Sequence, residues 1–423
     1  MHTLLPTLLE EFYEKLFEAK NGVRRIFSFP DLPKKINVTL GMRRTGKTYS
    51  LLQYINYLLQ QGKIPREQIL YLNLEDDRFI PCTQDSLRDL IESFYALYPQ
   101  NHDKLCYLFL DEIQNVENWS ILIRRLFDTK KLRVYLTGSS SKLLSKEIHT
   151  SLRGRALATE IWPYSFKEYL LANQITFKSN LLSKKNRDLM QHHLTAYLHI
   201  GGFPEVTEMP EEKRRQLLQG YVDVVIMRDI VERYHITSIT LLKYMIKFLL
   251  NNIGCTFSII KFFNDVKTQG LQCSKNTLYD YLHYLEDAYL IFTIPLYSES
   301  VRKTQSNPRK IYAVDSGLVN AYLIGSSKNY GHLFENLIFL ELKRQGHKIF
   351  YYLTSERYEV DFLTIDAKGK KHLYQVVWDI SDKHTMEREN RALKIAEKEL
   401  HLKGTLITPD AFIESMWHQY LEH

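Results

Sequence analysis

Gly41-Met42-Arg43-Arg44-Thr45-Gly46-Lys47-Thr48 reads G-x-x-x-x-G-K-T, the spacing of a phosphate-binding loop. Its glycines let backbone N–H groups turn inward on a β-phosphate, Lys47 reaches the β- and γ-oxygens, and the Thr48 hydroxyl is set to ligate Mg²⁺. Arg44, Thr45 and Gly46 complete the cradle. The flanks carry the required context. Upstream, Ile36-Asn37-Val38-Thr39-Leu40 is a short apolar, β-branched run suited to a buried strand. Downstream, Leu51, Leu52, Ile55, Leu58 and Leu59 repeat at helical spacing between Tyr49 and Gln61, so a helix N-terminus points at the phosphate.

Two more buried-strand patterns follow. Ile69-Leu70-Tyr71-Leu72-Asn73-Leu74 closes on Glu75-Asp76-Asp77, and Leu105-Cys106-Tyr107-Leu108-Phe109-Leu110 closes on Asp111-Glu112. The second is the pattern of a Walker B segment: a carboxylate at the strand end holds the Mg²⁺ shell, and its neighbour orients and deprotonates the attacking water. Asp111 takes the first role and Glu112 the second. A fourth strand, Arg133-Val134-Tyr135-Leu136, runs into Thr137-Gly138-Ser139, which sets Thr137 or Ser139 beside the γ-phosphate, although a plain Ser/Gly turn reads the same way. In Ser151-Leu152-Arg153-Gly154-Arg155 the guanidinium groups suit either an arginine finger given to a neighbouring subunit's nucleotide or a surface salt bridge.

Bulk properties set wide bounds. With 423 residues, 44% hydrophobic and 25% charged, the chain has room for two to four globular domains. A net charge of +7, from 56 basic and 49 acidic residues, permits a polyanionic partner without demanding one. Cys82, Cys106, Cys255 and Cys273 stand singly, which indicates neither a zinc knuckle nor a disulfide framework and fits a reducing cytosol. Glu10, Glu11 and Glu14 interrupt the apolar N-terminal pattern, as a signal peptide would not allow. No apolar run reaches the roughly 18 to 20 residues that span a bilayer, so no membrane partner is expected.

These residues carry a resemblance. The chain is similar to the bacterial and archaeal AAA+ ATPases that join an ATPase module to a C-terminal domain of unknown function with a restriction-endonuclease-like core. The likeness rests on Gly41 to Thr48, Leu110-Asp111-Glu112-Ile113-Gln114, Leu136-Thr137-Gly138-Ser139-Ser140 and Gly154-Arg155 with Trp162-Pro163-Tyr164-Ser165-Phe166-Lys167-Glu168. It continues through Gly201-Gly202-Phe203-Pro204-Glu205 and Arg228-Asp229-Ile230. It implies ATP binding and hydrolysis with Mg²⁺, an oligomerising core, and Arg155 as the finger, and it supplies no substrate.

The remaining stretches fit that layout. The helical pattern between Glu168 and His235 resembles a lid, where Arg228 either reaches a nucleotide or pairs with Asp229. From Leu241 to Ala313 the pattern is that of a winged helix-turn-helix: Leu278, Tyr281, Leu282 and Leu285 form one stripe behind the N-cap Ser274. Arg302, Lys303 and Arg309 then lie in a polar hairpin loop, the expected wing. Basic wing residues admit phosphate contact, whereas Asp280, Glu286 and Asp287 on the recognition helix argue against base readout, and protein contact is the alternative. In the last hundred residues Glu335 on a helix, Asp361 on a strand and Gln375-Val376-Val377 on the next resemble a nuclease-like core in which Glu-x-Lys is replaced. Gln375 is a poor ligand for a hard dication and Val377 cannot assist deprotonation. A lysine from another element would have to substitute, and Lys343 is the nearest in sequence.

The expected architecture is therefore α/β: a P-loop AAA+ core over 1–168, a helical lid over 169–235, a winged helix-turn-helix over 236–313 and a degenerate restriction-endonuclease-like α/β domain over 314–423. The expected activity is MgATP hydrolysis in the cytoplasm, coupled to rearrangement of the C-terminal domains on double-stranded DNA or a protein partner, in a homo-oligomer if Arg155 acts in trans. A non-catalytic nucleotide-gated scaffold and an ATP-dependent nuclease are the competing readings.

Overall fold

The computed structural model describes residues 4–30, 32–62, 64–138, 152–175, 183–207, 209–323 and 329–421. They divide into two compact units, Met1–Trp162 and Pro163–His423.

In the first unit, α1 (Leu5–Lys20) precedes β1 (Ile36–Leu40), α2 (Lys47–Gln60), β2 (Ile69–Asn73), α3 (Gln84–Leu97), β3 (Cys106–Asp111), α4 (Trp119–Thr129), β4 (Leu132–Thr137) and β5 (Ala156–Glu160). The strands form one sheet in the order β2-β3-β4-β1-β5, and each pairing is parallel. Strands covered on both faces need continuous apolar runs, and β1 is buried along its whole length. Leu51, Leu52, Ile55 and Leu58 of α2 pack with Phe12, Leu16 and Ala19 of α1 against Tyr71, Phe109 and Tyr135 of the sheet. The Phe109 and Tyr135 rings stack at 4.6 Å.

Because all five strands point the same way, Leu40, Asn73, Asp111, Thr137 and Glu160 reach one sheet edge. Ligands of open parallel sheets bind at that carboxyl edge. β4 separates β1 from β3 and brings its own end, Thr137, between the phosphate loop and Asp111.

The unit closes at Trp162 rather than at 168. The reason is local: Ser165 and Glu168 form a capping box that starts the helix Phe166–Ala172, and Phe166 and Tyr169 of that helix pack on Tyr197 of the second unit. The helices expected as a lid, Lys184–Ile200 and Glu211–Val224, likewise belong to the second unit. The latter continues as a π-helical stretch over Val225–Val231. Arg228 there pairs with Glu232 at 3.6 Å on an exposed face, rather than with Asp229.

Gly201 and Gly202 take part in a junction. Gly201 has φ +85, and a Cβ on it would lie 2.2 Å from Oδ1 of Asp315, whose carboxylate accepts the Gly202 N–H at 2.6 Å and the Leu318 N–H at 3.1 Å.

Helices Ile239–Asn251, Ile259–Thr268 and Lys275–Asp287 are followed or interleaved by β6 (Thr256–Phe257), β7 (Ile291–Ile294) and β8 (Arg309–Ala313), an antiparallel sheet in the order β6-β8-β7. The segment expected as a polar hairpin loop between β7 and β8 instead carries a short helix, Val301–Ser306, capped by the Ser300 hydroxyl, which accepts the Lys303 N–H at 3.4 Å. On Lys275–Asp287 only Asp280 of the three expected carboxylates is exposed. Glu286 accepts the Thr293 hydroxyl at 2.6 Å and Asp287 accepts Tyr234 Oη at 3.1 Å.

The chain ends in helix Tyr330–Arg344, then β9 (Lys348–Leu353), β10 (Glu359–Ile365), β11 (Lys371–Val376), helix Lys383–Leu400, β12 (Gly404–Ile407) and helix Pro409–Leu421. The sheet order is β12-β11-β10-β9, antiparallel except for β11 with β12. Ala392, Leu393 and Ala396 cover Val360, Leu363 and Leu373. Among the described residues no helix is long and apolar enough to cross a membrane.

Candidate functional site

The loop between β1 and α2 is shaped by two glycines. Gly41 has φ +148, and a Cβ there would stand 2.2 Å from the Ile161 carbonyl oxygen; Gly46 has φ +90 and caps α2. Only glycine tolerates both demands without strain. The Thr45 hydroxyl donates to the Met42 carbonyl at 2.9 Å, and Arg44 holds a left-handed turn at φ 67. Lys47 is buried, and its Nζ donates to the carbonyls of Gly41 at 3.2 Å and Met42 at 3.1 Å. It also lies 3.9 Å from Oε1 of Glu112.

Asp111 sits at the end of β3, fully enclosed. Thr137 donates to its Oδ1 and Tyr71 to its Oδ2 at 3.0 Å, and the Thr48 hydroxyl lies near enough to lower its pKa. Burial and the adjacent Glu112 raise its pKa, while these three hydroxyls pull it back. Glu112 follows in a left-handed conformation, φ 55, that a non-glycine residue adopts at a cost and that recurs at functional sites. Its N–H donates to the Thr137 hydroxyl at 2.8 Å, and Gln114 Nε2 donates to its Oε2.

The result is a cation, two carboxylates and a cluster of hydroxyls at one edge. Lys47 and the α2 N-terminus could hold phosphate oxygens. Thr48 and Asp111, both oxygen donors that face each other at this edge, suit Mg²⁺, which prefers few carboxylates and keeps several waters.

Of the residues singled out in the sequence, Gly41, Arg44, Thr45, Gly46, Lys47, Thr48, Asp111 and Glu112 share this edge, and Thr137 joins them. Ser139 lies outside the described residues. Arg155 does not join its own loop: it precedes β5, its carbonyl accepts the Ile36 N–H at 2.7 Å, and so it marks the opposite, amino-terminal edge of the sheet. There its guanidinium meets the Asp128 carboxylate at 3.2 Å.

Sequence reasoning missed Arg25 and Tyr71 as contributors. The buried Arg25 guanidinium donates to the Thr45 carbonyl at 2.6 Å and to the Trp162 carbonyl at 2.7 Å, bracing the loop from behind. Its segment has no periodicity to reveal it, whereas a tyrosine within an apolar run at Tyr71 was a signal that could have been read.

Elsewhere, Arg302, Lys303 and Arg309 are all exposed. Glu335 and Asp361 do converge. Lys343 stays apart, its Nζ 5.8 Å from the centre of the Phe292 ring, and the lysine between the two carboxylates is Lys310 of β8.

A profile described as an AAA domain matches residues 33–170. An uncharacterized protein of Methanocaldococcus jannaschii is 39% identical over 375 residues, 88% of this chain and 80% of that protein. The chain belongs to this AAA-domain family. An uncharacterized Haemophilus influenzae protein is 32% identical over 376 residues, covering 89% of this chain and 90% of its own length. Profiles for two domains of unknown function, DUF8612 and DUF4143, match residues 191–329 and 330–415. Among solved structures, a Walker-type ATPase of Pyrococcus abyssi is similar over 74% of this chain and 95% of that chain, at a TM-score of 0.42 and 16% identity. The Aeropyrum pernix ORC1 protein, solved in complex with DNA, gives 0.31 and 14% over 74% of this chain and 90% of its own.

Proposed function

We propose that this AAA-domain protein binds and hydrolyses MgATP and uses the cycle to rearrange its C-terminal modules on double-stranded DNA or a protein partner. The observation that carries the reading is the convergence of Lys47, Thr48, Asp111, Glu112 and Thr137 at one sheet edge. Lys47 takes the β- and γ-oxygens of the nucleotide, exchanging its two loop carbonyls for them. Thr48 and Asp111 would hold Mg²⁺, which when bound would supply positive charge against the charge that develops on the phosphates. Glu112 orients water and accepts its proton, Gln114 holds that carboxylate and Thr137 holds the Glu112 backbone N–H. Arg155, remote from its own loop, serves the nucleotide of a neighbouring copy.

Two further features support the expected modules. Over 239–313 the order helix, strand, two helices, strand, short helix, strand with a β6-β8-β7 sheet supports a winged helix. Exposed Arg302, Lys303 and Arg309 there suit phosphate contact. Over 330–407 the order helix, three strands, helix, strand with a mixed sheet supports a restriction-endonuclease-like core.

Steady-state ATPase rates with and without double-stranded DNA test the proposal. Mg²⁺-dependent turnover is expected. Tight ATP binding without turnover in any condition would replace it with a nucleotide-gated scaffold.

A further inference from the structure

A restriction-endonuclease-like core implies a divalent cation between Glu335 and Asp361, and the donors of this chain do not fit one. The position is taken from inside the protein. Lys310 Nζ lies 2.7 Å from Oε1 of Glu335, 2.8 Å from Oε1 of Glu359 and 3.1 Å from Oδ1 of Asp361, and the lysine is 1% exposed.

The neighbouring atoms are engaged as well. Glu335 Oε1 also accepts Tyr312 Oη at 2.6 Å, and Asp361 Oδ2 accepts the Val376 N–H at 3.0 Å. Gln375, where a third carboxylate would be expected, accepts the Asp361 N–H through Oε1 at 3.2 Å and donates through Nε2 to Glu389 at 2.5 Å. Val377, where the lysine of a working core would stand, is buried.

Lys310 is not a side chain that swings in from a loop. Its backbone is fixed on both sides in the β6-β8-β7 sheet, opposite Thr256 and Ile294, and the adjacent Tyr312 ring stacks on Phe339 at 4.3 Å. The cluster closes the floor of an open cleft of about 1000 Å³ that Trp378, Arg388 and Glu389 also line. An ammonium makes up to three hydrogen bonds and no coordinate bond, and three carboxylates satisfy it completely. A dication would need the same oxygens at about 2.0 to 2.1 Å and would face the ammonium at close range.

We propose that the Lys310 ammonium is the resident cation of this site: it is the counter-ion that Glu335, Glu359 and Asp361 share in place of a metal ion, so that the native cleft takes up no Mg²⁺ or Mn²⁺ and cuts no DNA. The proposal rests on the nuclease-like reading of the C-terminal module. It also gives the acidic site a structural task, since β8 of the three-stranded sheet is thereby pinned to helix Tyr330–Arg344 and to β10.

The test is Mn²⁺ binding to the full-length, nucleotide-free chain, followed by the electron paramagnetic resonance of free Mn²⁺. Asp361→Asn variants are measured in parallel, so that any Mn²⁺ at the phosphate loop cancels. The native chain should show no Asp361-dependent site and should not nick supercoiled plasmid. Lys310→Met should gain one Mn²⁺ site, at least tenfold tighter than anything in the native chain, which Asp361→Asn abolishes. If Lys310→Met folds only when Mn²⁺ is present, by circular dichroism, that is the same gain read as folding. Lys310→Arg keeps the charge and should fold and bind no Mn²⁺. An Asp361-dependent Mn²⁺ site in the native chain or in Lys310→Arg, or plasmid nicking that Asp361→Asn removes, overturns the proposal and leaves the nuclease-like reading intact. A Lys310→Met chain that binds no Mn²⁺, folded or not, overturns both. ATPase rates of the same samples report on the phosphate loop separately.

Discussion

Thr137 ties Asp111 to Glu112: its hydroxyl donates to Oδ1 of the first and accepts the N–H of the second at 2.8 Å. One buried hydroxyl at the end of β4 thus holds the Asp111 carboxylate and the Glu112 backbone at the end of β3. This is possible only because β4 lies between β3 and β1. The sequence leaves Thr137 or Ser139 open between a place beside the γ-phosphate and a plain turn; Thr137 bonds the two acidic residues.

Thr137→Val keeps the shape and removes both bonds. It should lower kcat by roughly 10- to 100-fold, the range seen when a residue that orients a ligand is lost, while ATP affinity changes little. The unpaired Glu112 amide should also cost about 1–3 kcal/mol of stability. Single-turnover hydrolysis beside equilibrium nucleotide binding separates the effects; a loss confined to affinity would show that Thr137 acts on the nucleotide itself.

Lys47→Ala and Glu112→Gln should divide binding from turnover. The first removes a buried cation that grips phosphate, worth about 2–5 kcal/mol, or roughly one and a half to three and a half orders of magnitude in Kd. The second keeps the hydrogen bond from Gln114 but cannot accept a proton, so turnover should fall about 10²- to 10⁴-fold with ATP retained. Fluorescent-nucleotide binding and phosphate release decide it. Equal loss of affinity in both variants would sink the division of roles.

The contrast between elements that were legible and those that were not has a physical basis. β1, β3 and β4 lie inside the sheet, and β2, although at one edge, is covered by α1 through Phe12 on Tyr71 and is buried over its first four residues; that burial forces the apolar runs that sequence shows. β5 is an edge strand in which only Ala156 is buried, so Ala156 to Glu160 carries no run and was not anticipated. The phosphate loop was readable because its chemistry is local: glycines, lysine and threonine act within eight consecutive residues. Lys310 was not, because the carboxylate at Asp361 that makes a buried ammonium tolerable is 51 residues away, and a lone lysine in a strand looks like any solvent-facing residue. The helix at Val301–Ser306 was missed for a similar reason: six residues hold too few turns to display a periodicity.

Asp315 gives a pH dependence with a definite sign. Burial pushes its carboxyl up to about 6, against the pull of the Gly202, Leu318 and Gly317 amides. A carboxyl raised in the fold holds its proton where the unfolded chain has released it. Stability from this group is therefore greatest at low pH and declines as pH rises from near 4, the ordinary aspartate range, to about 6. Asp315→Asn, which does not titrate but sets an NH₂ against backbone donors, should be less stable than the native chain at pH 4, by about 1–3 kcal/mol. The gap to the native chain should narrow between pH 4 and 6 and stay constant above. Denaturant unfolding across that range measures the gap, and a gap that widens with pH would contradict the assignment.

Arg155 is where structure and proposed mechanism must be reconciled by experiment. In its own subunit it pairs with Asp128 across 3.2 Å and is a third exposed, and such surface pairs contribute about 1 kcal/mol or less. If that is all it does, Arg155→Ala and Asp128→Ala should be equivalent, with both near native in stability and turnover. If its guanidinium reaches the nucleotide of a neighbouring copy, Arg155→Ala should lose about 10³- to 10⁵-fold in kcat, as arginine fingers do, while Asp128→Ala, which leaves the arginine in place, keeps most of the activity. Complementation makes the argument specific. In a mixed assembly, Arg155→Ala supplies intact phosphate loops and Lys47→Ala supplies intact fingers, so combining two inactive proteins should restore turnover at their shared interfaces. Restored activity that rises with total protein concentration is the expected result, whereas a mixture as inactive as its components, under conditions where the chains associate, would return Arg155 to the role of a surface ion pair.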